Sequence, residues 1–146
     1  RITFDPHQRW TLISVALVDS LVTTNHTLSL VQSCIGIEAI LGDSAPGGYE
    51  LGITARLSER FAYLMGTSAG NRSELRDRFR AVFAKRGDLV HARKSRLPPS
   101  DLQIVHTAQR MLQELVRKEL SLVLNLPPVV LGRMNPMDIK RNMKPF

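Results

Sequence analysis

The segment 75–96, LRDRFRAVFAKRGDLVHARKSR, decides the fold of this chain, because its apolar residues recur at helical spacing. Residues three and four positions apart share one face of an α-helix, so the segment is predicted to be helical with one buried face. The residues predicted to be buried are Leu75, Phe79, Val82 and Phe83. Continuing that face predicts inward positions at 86, 89 and 90, and position 86 is an arginine.

The same periodicity extends over most of the chain and predicts a five-helix, all-α domain over residues 1–124. Asp5 and Pro6 are typical of a helix start, and the LPPS stretch at 97–100 predicts a break before a helix capped by Ser100. The remaining residues, 125–146, contain three internal prolines before the final Lys-Pro-Phe and are predicted to form an arm or tail. The predicted helices span about 6–22, 27–41, 51–65, from 72 or 73 up to the break, and 100–123.

Length and charge favour one domain with an anionic partner. The chain has 146 residues and a net charge of +7, with fifteen arginines against five lysines. Nine of the twenty basic residues lie between Arg72 and Arg96, which indicates nucleic acid, nucleotide or acidic lipid as the partner. Aromatic residues make up only 5%, which argues against surfaces that stack many bases on rings. Because the chain begins with Arg1 rather than methionine, we expect it to be a piece of a longer protein.

Several other classes of protein find little support. Cys34, the single cysteine, lies in an apolar run and is expected to be a small core residue in a reducing, cytoplasmic setting. No apolar run is long enough for a membrane helix, and no secretory signal is present. There is no GxSxG motif, and the four histidines have no partners at metal-ligand spacing, so neither a metal nor another cofactor is expected.

Arg86 and His91 are the residue pair with the clearest chemical potential. A histidine can accept or donate a proton near neutral pH, and a guanidinium can hold a phosphate through two parallel hydrogen bonds. Together they suit attack of a ribose 2′-hydroxyl on the adjacent phosphate without a metal. On an ideal helix two residues five positions apart point about 140° away from each other. The side chains therefore converge only if the helix bends at Gly87-Asp88 or if two copies of the chain meet.

Three segments, in order, resemble the HEPN superfamily and most closely its Apea-like branch. They are GIEAILG at 36–42, LGITARLSERFAYLMG at 51–66, and LRDRFRAVFAKRGDLVHARKS at 75–95, which contains the RxxxxH motif. The resemblance covers about residues 27–120. It implies a small helical bundle that commonly forms homodimers, in which two RxxxxH motifs line one cleft. Active members of the superfamily are often metal-independent endoribonucleases.

The resemblance also implies roles for individual residues. Arg86 would contact the scissile phosphate, and His91 would act in proton transfer or phosphate stabilisation. Glu38 and Arg60 would form an internal pair that orders the site. Many active members have a polar residue directly after the arginine, and here Asp88, one position later, is expected to supply it.

Three functions remain open from the sequence. The first is an RNA-cleaving effector domain of a bacterial defence or toxin-like protein. The second is a module that binds RNA, nucleotide or other domains of the parent protein without cutting. The third is a helical dimerisation domain whose arginines are mostly solvated. The residues expected to contact RNA are Arg78, Arg80, Lys85, Arg93 and Lys94.

Overall fold

The computed structural model describes residues 6–42, 52–91 and 96–125, and within these it contains five α-helices and no strand. The predicted all-α fold of about five helices is therefore confirmed. Most of the predicted C-terminal arm lies outside the described residues. The helices are α1 (Pro6–Val22), α2 (His26–Leu41), α3 (Ile53–Met65), α4 (Ala69–Val90) and α5 (Leu102–Val123), and a 3-10 turn, Pro99–Asp101, precedes α5.

The start of α4 lies about one turn earlier than predicted. The Oγ of Ser68 accepts a hydrogen bond from the Asn71 N–H at 3.2 Å, so Ser68 is the N-cap and the helix begins at Ala69. A serine cap satisfies a donor that the first turn otherwise leaves without a partner. The predicted start at residue 72 or 73 was wrong because the GTSAGN stretch was interpreted as a loop throughout.

The start of α5 also differs in detail from the prediction. Ser100 lies inside the 3-10 turn, and Asp101 is the residue that precedes the α-helix. Its side chain makes no capping hydrogen bond, because its carboxylate accepts instead from Lys85 Nζ at 2.7 Å. This ion pair ties the last part of α4 to the beginning of α5.

The core is built around α2, which packs against both α1 and α5, while α3 and α4 pack on each other as a hairpin. All four residues predicted to be buried on α4 are buried, and the ring of Phe79 contacts Phe61 at 5.6 Å and Phe83 at 4.2 Å between centroids. The prediction that the buried face continues to position 90 was wrong. Val90 is 51% exposed, because it is the last residue of the helix. On α5, Val105 and Leu112 are also buried.

The three helices α1, α2 and α5 approach one another closely at Gly36. A Cβ atom added there would lie 2.8 Å from a methyl of Leu112 and 3.3 Å from the Cβ of Ala16. Nearby, Gln109 Nε2 donates to the Ser20 carbonyl at 2.7 Å and to Ser29 Oγ at 3.0 Å. Because both serines are buried, this network satisfies polar groups that would otherwise be costly in the core.

Candidate functional site

Helix α4 runs without a break through Gly87 and Asp88. It ends at Val90, and the N–H of His91 still donates to the Gly87 carbonyl at 3.0 Å. The predicted bend at Gly87-Asp88 is therefore wrong. On a continuous helix the side chains of Arg86 and His91 leave the axis about 140° apart, so a single copy of the chain does not bring them together at a bend.

Arg86 is half-buried and joins α4 to α2. Its Nη2 donates to Oε2 of Glu38 at 3.3 Å, and the two side chains are 29% and 32% exposed. Its Nε is buried and has no hydrogen-bond partner among the described residues. The arginine predicted inside an apolar stripe is thus compensated by a carboxylate from the neighbouring helix, as a partly desolvated charge requires.

The expected internal pair between Glu38 and Arg60 needs correction. The ion pair that the structure gives for Glu38 is with Arg86, and Arg60 instead donates from Nη1 to the carbonyls of Leu41, at 2.9 Å, and Gly42. These carbonyls lie at the C-terminal end of α2, where the helix leaves acceptors without partners. A cation there also interacts favourably with the helix dipole.

A second arginine at this helix end was missed in the sequence. Arg9 donates from Nε to the Ala39 carbonyl at 3.0 Å and from Nη2 to the Ile40 carbonyl at 2.7 Å. Together with Arg60 it satisfies four successive carbonyls of α2. The available signal was that Arg9 is the only lysine or arginine in α1. Both arginines therefore stabilise the helix that carries Glu38.

Cys34 lies one helical turn before Glu38 and is fully buried, which confirms the prediction of a core residue. The pKa of its thiol is raised to about 12, chiefly by burial and also by the nearby negative charge of Glu38, while Arg86 opposes the shift. A thiol that stays protonated is a poor nucleophile. The candidate site therefore contains no reactive sulfur in the described part of the chain.

His91 is exposed and follows the last residue of α4. Its side chain makes no hydrogen bond or ion pair with the described residues. Asp88, predicted to supply a polar group, is half-buried on the last turn of α4. The site is thus an Arg86–Glu38 pair between two helices, with one accessible imidazole at the end of the second.

The described residues among those predicted to bind RNA have different surroundings. Lys85 is held by Asp101, and the exposed Arg80 lies 4.0 Å from Asp77 in the same helix. Arg78 lines a cavity beside α5 and lies seven positions before Lys85, on the same face of α4. Arg93 and Lys94 lie outside the described residues.

No metal centre and no membrane span is found in the part of the chain that the structure describes. Within residues 6–42, 52–91 and 96–125, histidine, cysteine, aspartate and glutamate do not cluster in threes or more. In the same residues, each helix is too short or too polar to span a bilayer.

No family model, curated protein or solved structure matches this chain. The class of protein is therefore defined by its own architecture, an all-α bundle of five helices with an arginine–glutamate pair between α2 and α4. The resemblance to the HEPN superfamily rests on the three sequence segments alone.

The Arg86–Glu38 pair leads to a prediction about stability. We expect Arg86→Met to lower the free energy of unfolding by about 1–3 kcal/mol, because Glu38 then keeps a partly desolvated carboxylate without its cation. Urea denaturation measures the change. The matched control is Arg80→Met, whose partner Asp77 is 75% exposed, and we expect an effect below about 0.5 kcal/mol. Equal effects in the two variants would show that the Arg86–Glu38 pair adds no stability.

Proposed function

We propose that this chain is a HEPN-type, metal-independent endoribonuclease that cuts single-stranded RNA, as the effector domain of a bacterial defence or toxin-like protein. The observation that carries the proposal is the arrangement at the end of α4. His91 is exposed there, and five positions before it the guanidinium of Arg86 is oriented by Glu38. One group is available to move a proton, and the other is a fixed cation.

The reaction needs only these two kinds of group. The ribose 2′-oxygen forms a bond to the neighbouring phosphorus while the bond to the 5′-oxygen breaks. The proton of the 2′-hydroxyl passes to a base, and the leaving 5′-oxygen gains a proton. The products are a 2′,3′-cyclic phosphate and a 5′-hydroxyl. His91 is the proposed proton carrier, and Arg86 the proposed donor to the phosphate oxygens.

The straight course of α4 favours a site made by two copies of the chain. Arg86 and His91 diverge by about 140° on one helix, so the pair that acts on one phosphate would combine Arg86 of one copy with His91 of the other. Nη2 of Arg86 is engaged by Glu38, while Nη1 makes no hydrogen bond with the described residues. We therefore propose Nη1 as the atom that reaches the substrate.

A second candidate is an RNA-binding module that does not cut. It is favoured by one specific observation, namely that Arg86 is already paired with Glu38 and that its helix does not bend toward His91. In this case the arginine holds the helices together, and binding depends on other cations.

The test is an assay of the chain with labelled single-stranded RNA in excess EDTA, over protein concentrations that span monomer and dimer. The proposal expects fragments that end in 2′,3′-cyclic phosphate, with a rate that rises faster than linearly with protein concentration. The control substrate is the same sequence with 2′-O-methyl groups, which lacks the nucleophile and should stay intact. If unmodified RNA also stays intact at every concentration while binding persists, the second candidate is correct.

A further inference from the structure

A row of surface cavities follows one face of α5, away from Arg86 and His91. The three cavities have volumes of 190, 270 and 440 Å³. Glu114 lines the first and second, and Leu64 lines the second and third, so neighbouring cavities share a lining residue. One wall of the first two is α5, and the opposite wall passes from α4 to the end of α3. We name this row of cavities the α5 groove.

The α5 groove gathers cations whose side chains have no partner among the described residues. They line its first two cavities, and none of them makes a hydrogen bond or ion pair with the described residues. Arg110 and Arg117 are seven positions apart on α5, so they lie about 10.5 Å from each other along the helix axis. Among the described residues that line the three cavities, those of opposite charge are Glu114 and Glu119. The four cations are Arg78, Arg110, Arg117 and Lys118.

The far end of the α5 groove offers an apolar floor and an exposed ring. Ile40, Leu41 and Leu64 line the 440 Å³ cavity together with Tyr63. The ring of Tyr63 is 66% exposed, and the guanidinium of Arg72 lies 4.8 Å from its centroid. An exposed aromatic ring beside cations is a platform on which a nucleobase can stack.

We propose that the α5 groove binds an extended single strand of nucleic acid, with its phosphates on the four cations and a base on Tyr63. Charge disfavours two other occupants of this groove. Residues 126–146 carry four basic residues against one acidic residue, and a second copy of the chain carries a net charge of +7. Both repel a groove of this sign. An acidic peptide would match the charge but would make no use of the exposed ring, so nucleic acid fits both features.

The groove goes beyond the proposed function, because neither Arg86 nor His91 lines any of its three cavities and binding there requires no cleavage. The test measures anisotropy of a labelled 12-nucleotide RNA in which every 2′-hydroxyl is methylated, so that it cannot be cut. We expect Arg110→Gln/Arg117→Gln to weaken binding at least tenfold and to reduce the slope of log K against log salt by about 1.4. Both arginines are exposed, so the variant should fold, and circular dichroism checks this.

The matched control is Gln8→Glu/Ser14→Glu, which removes the same two units of net charge at exposed positions of α1. We expect it to weaken binding less than threefold. Tyr63→Leu should weaken binding about fivefold or more, because a stacked base is lost. The proposal is overturned if the arginine variant and the α1 control bind alike, or if a glutamate 12-mer binds as tightly as the RNA. Groove-dependent binding without cleavage of unmodified RNA would refute only the nuclease proposal.

Discussion

Replacing His91 with alanine is expected to lower the rate of RNA cleavage by about 100- to 10,000-fold, which is the usual contribution of a general acid or base. The fold should be unaffected. His91 follows the last residue of α4 and its side chain is exposed. Among the described residues its side chain has no hydrogen-bond partner, and its backbone N–H donates to the Gly87 carbonyl. A single-turnover assay with saturating protein measures the chemical step, and thermal melting verifies that the structure is intact.

The control for this variant is His106→Ala. His106 is also exposed on a helix, and its ring contacts only Gln109, at 3.3 Å, among the described residues. We expect cleavage within about twofold of the unchanged chain. If His91→Ala cleaves as fast as His106→Ala, the imidazole at the end of α4 takes no part in the reaction. Binding of the methylated 12-mer should be the same for both variants, since neither residue lines the α5 groove.

The sequence predicted the fold well wherever burial follows a regular period. On α4 a spacing of three and four selected four residues that are all buried in the structure. The pattern failed at Val90, because the spacing of apolar residues shows which face of a helix is buried but not where the helix or its packing partner ends. The predicted start of α4 was wrong for a related reason, because a single serine cap outweighed the loop-forming tendency of Gly70 and Asn71.

The candidate site was less predictable, because its contacts join residues that are distant in the sequence. Glu38 and Arg86 are 48 positions apart, and nothing in the local pattern distinguishes Arg86 from Arg60 as the partner of Glu38. Predicting the α5 groove from the sequence requires knowing which helices lie side by side, because Arg78 comes from α4 and Arg110 from α5. Counting basic residues along the chain located the dense stretch 72–96 instead. In the structure Arg76, Lys85 and Arg86 of this stretch pair with three different carboxylates.

Replacing Phe79 with alanine should have the largest effect on stability. Phe79 is completely buried, and its ring contacts Phe61 on α3 and Phe83 on its own helix. Truncating a buried phenylalanine removes apolar burial and leaves a cavity, at a cost of about 3–5 kcal/mol. Because a domain is usually stable by only about 5–15 kcal/mol, this loss brings the chain close to unfolding at room temperature. We expect the melting temperature to fall by about 10 °C or more.

Tyr63→Ala is the matched control for Phe79→Ala, since it removes an aromatic ring from the same pair of packed helices at an exposed position. Among the described residues, the interaction that this variant loses is the contact of the Tyr63 ring with Arg72, which is worth about 0.5–1 kcal/mol. Urea denaturation should therefore separate the two variants by at least about 2 kcal/mol. A similar small loss in both would mean that α3 and α4 do not pack through Phe79 in solution. The α5 groove would then lose the wall that these two helices supply, so this measurement also tests the structural basis of the nucleic-acid proposal.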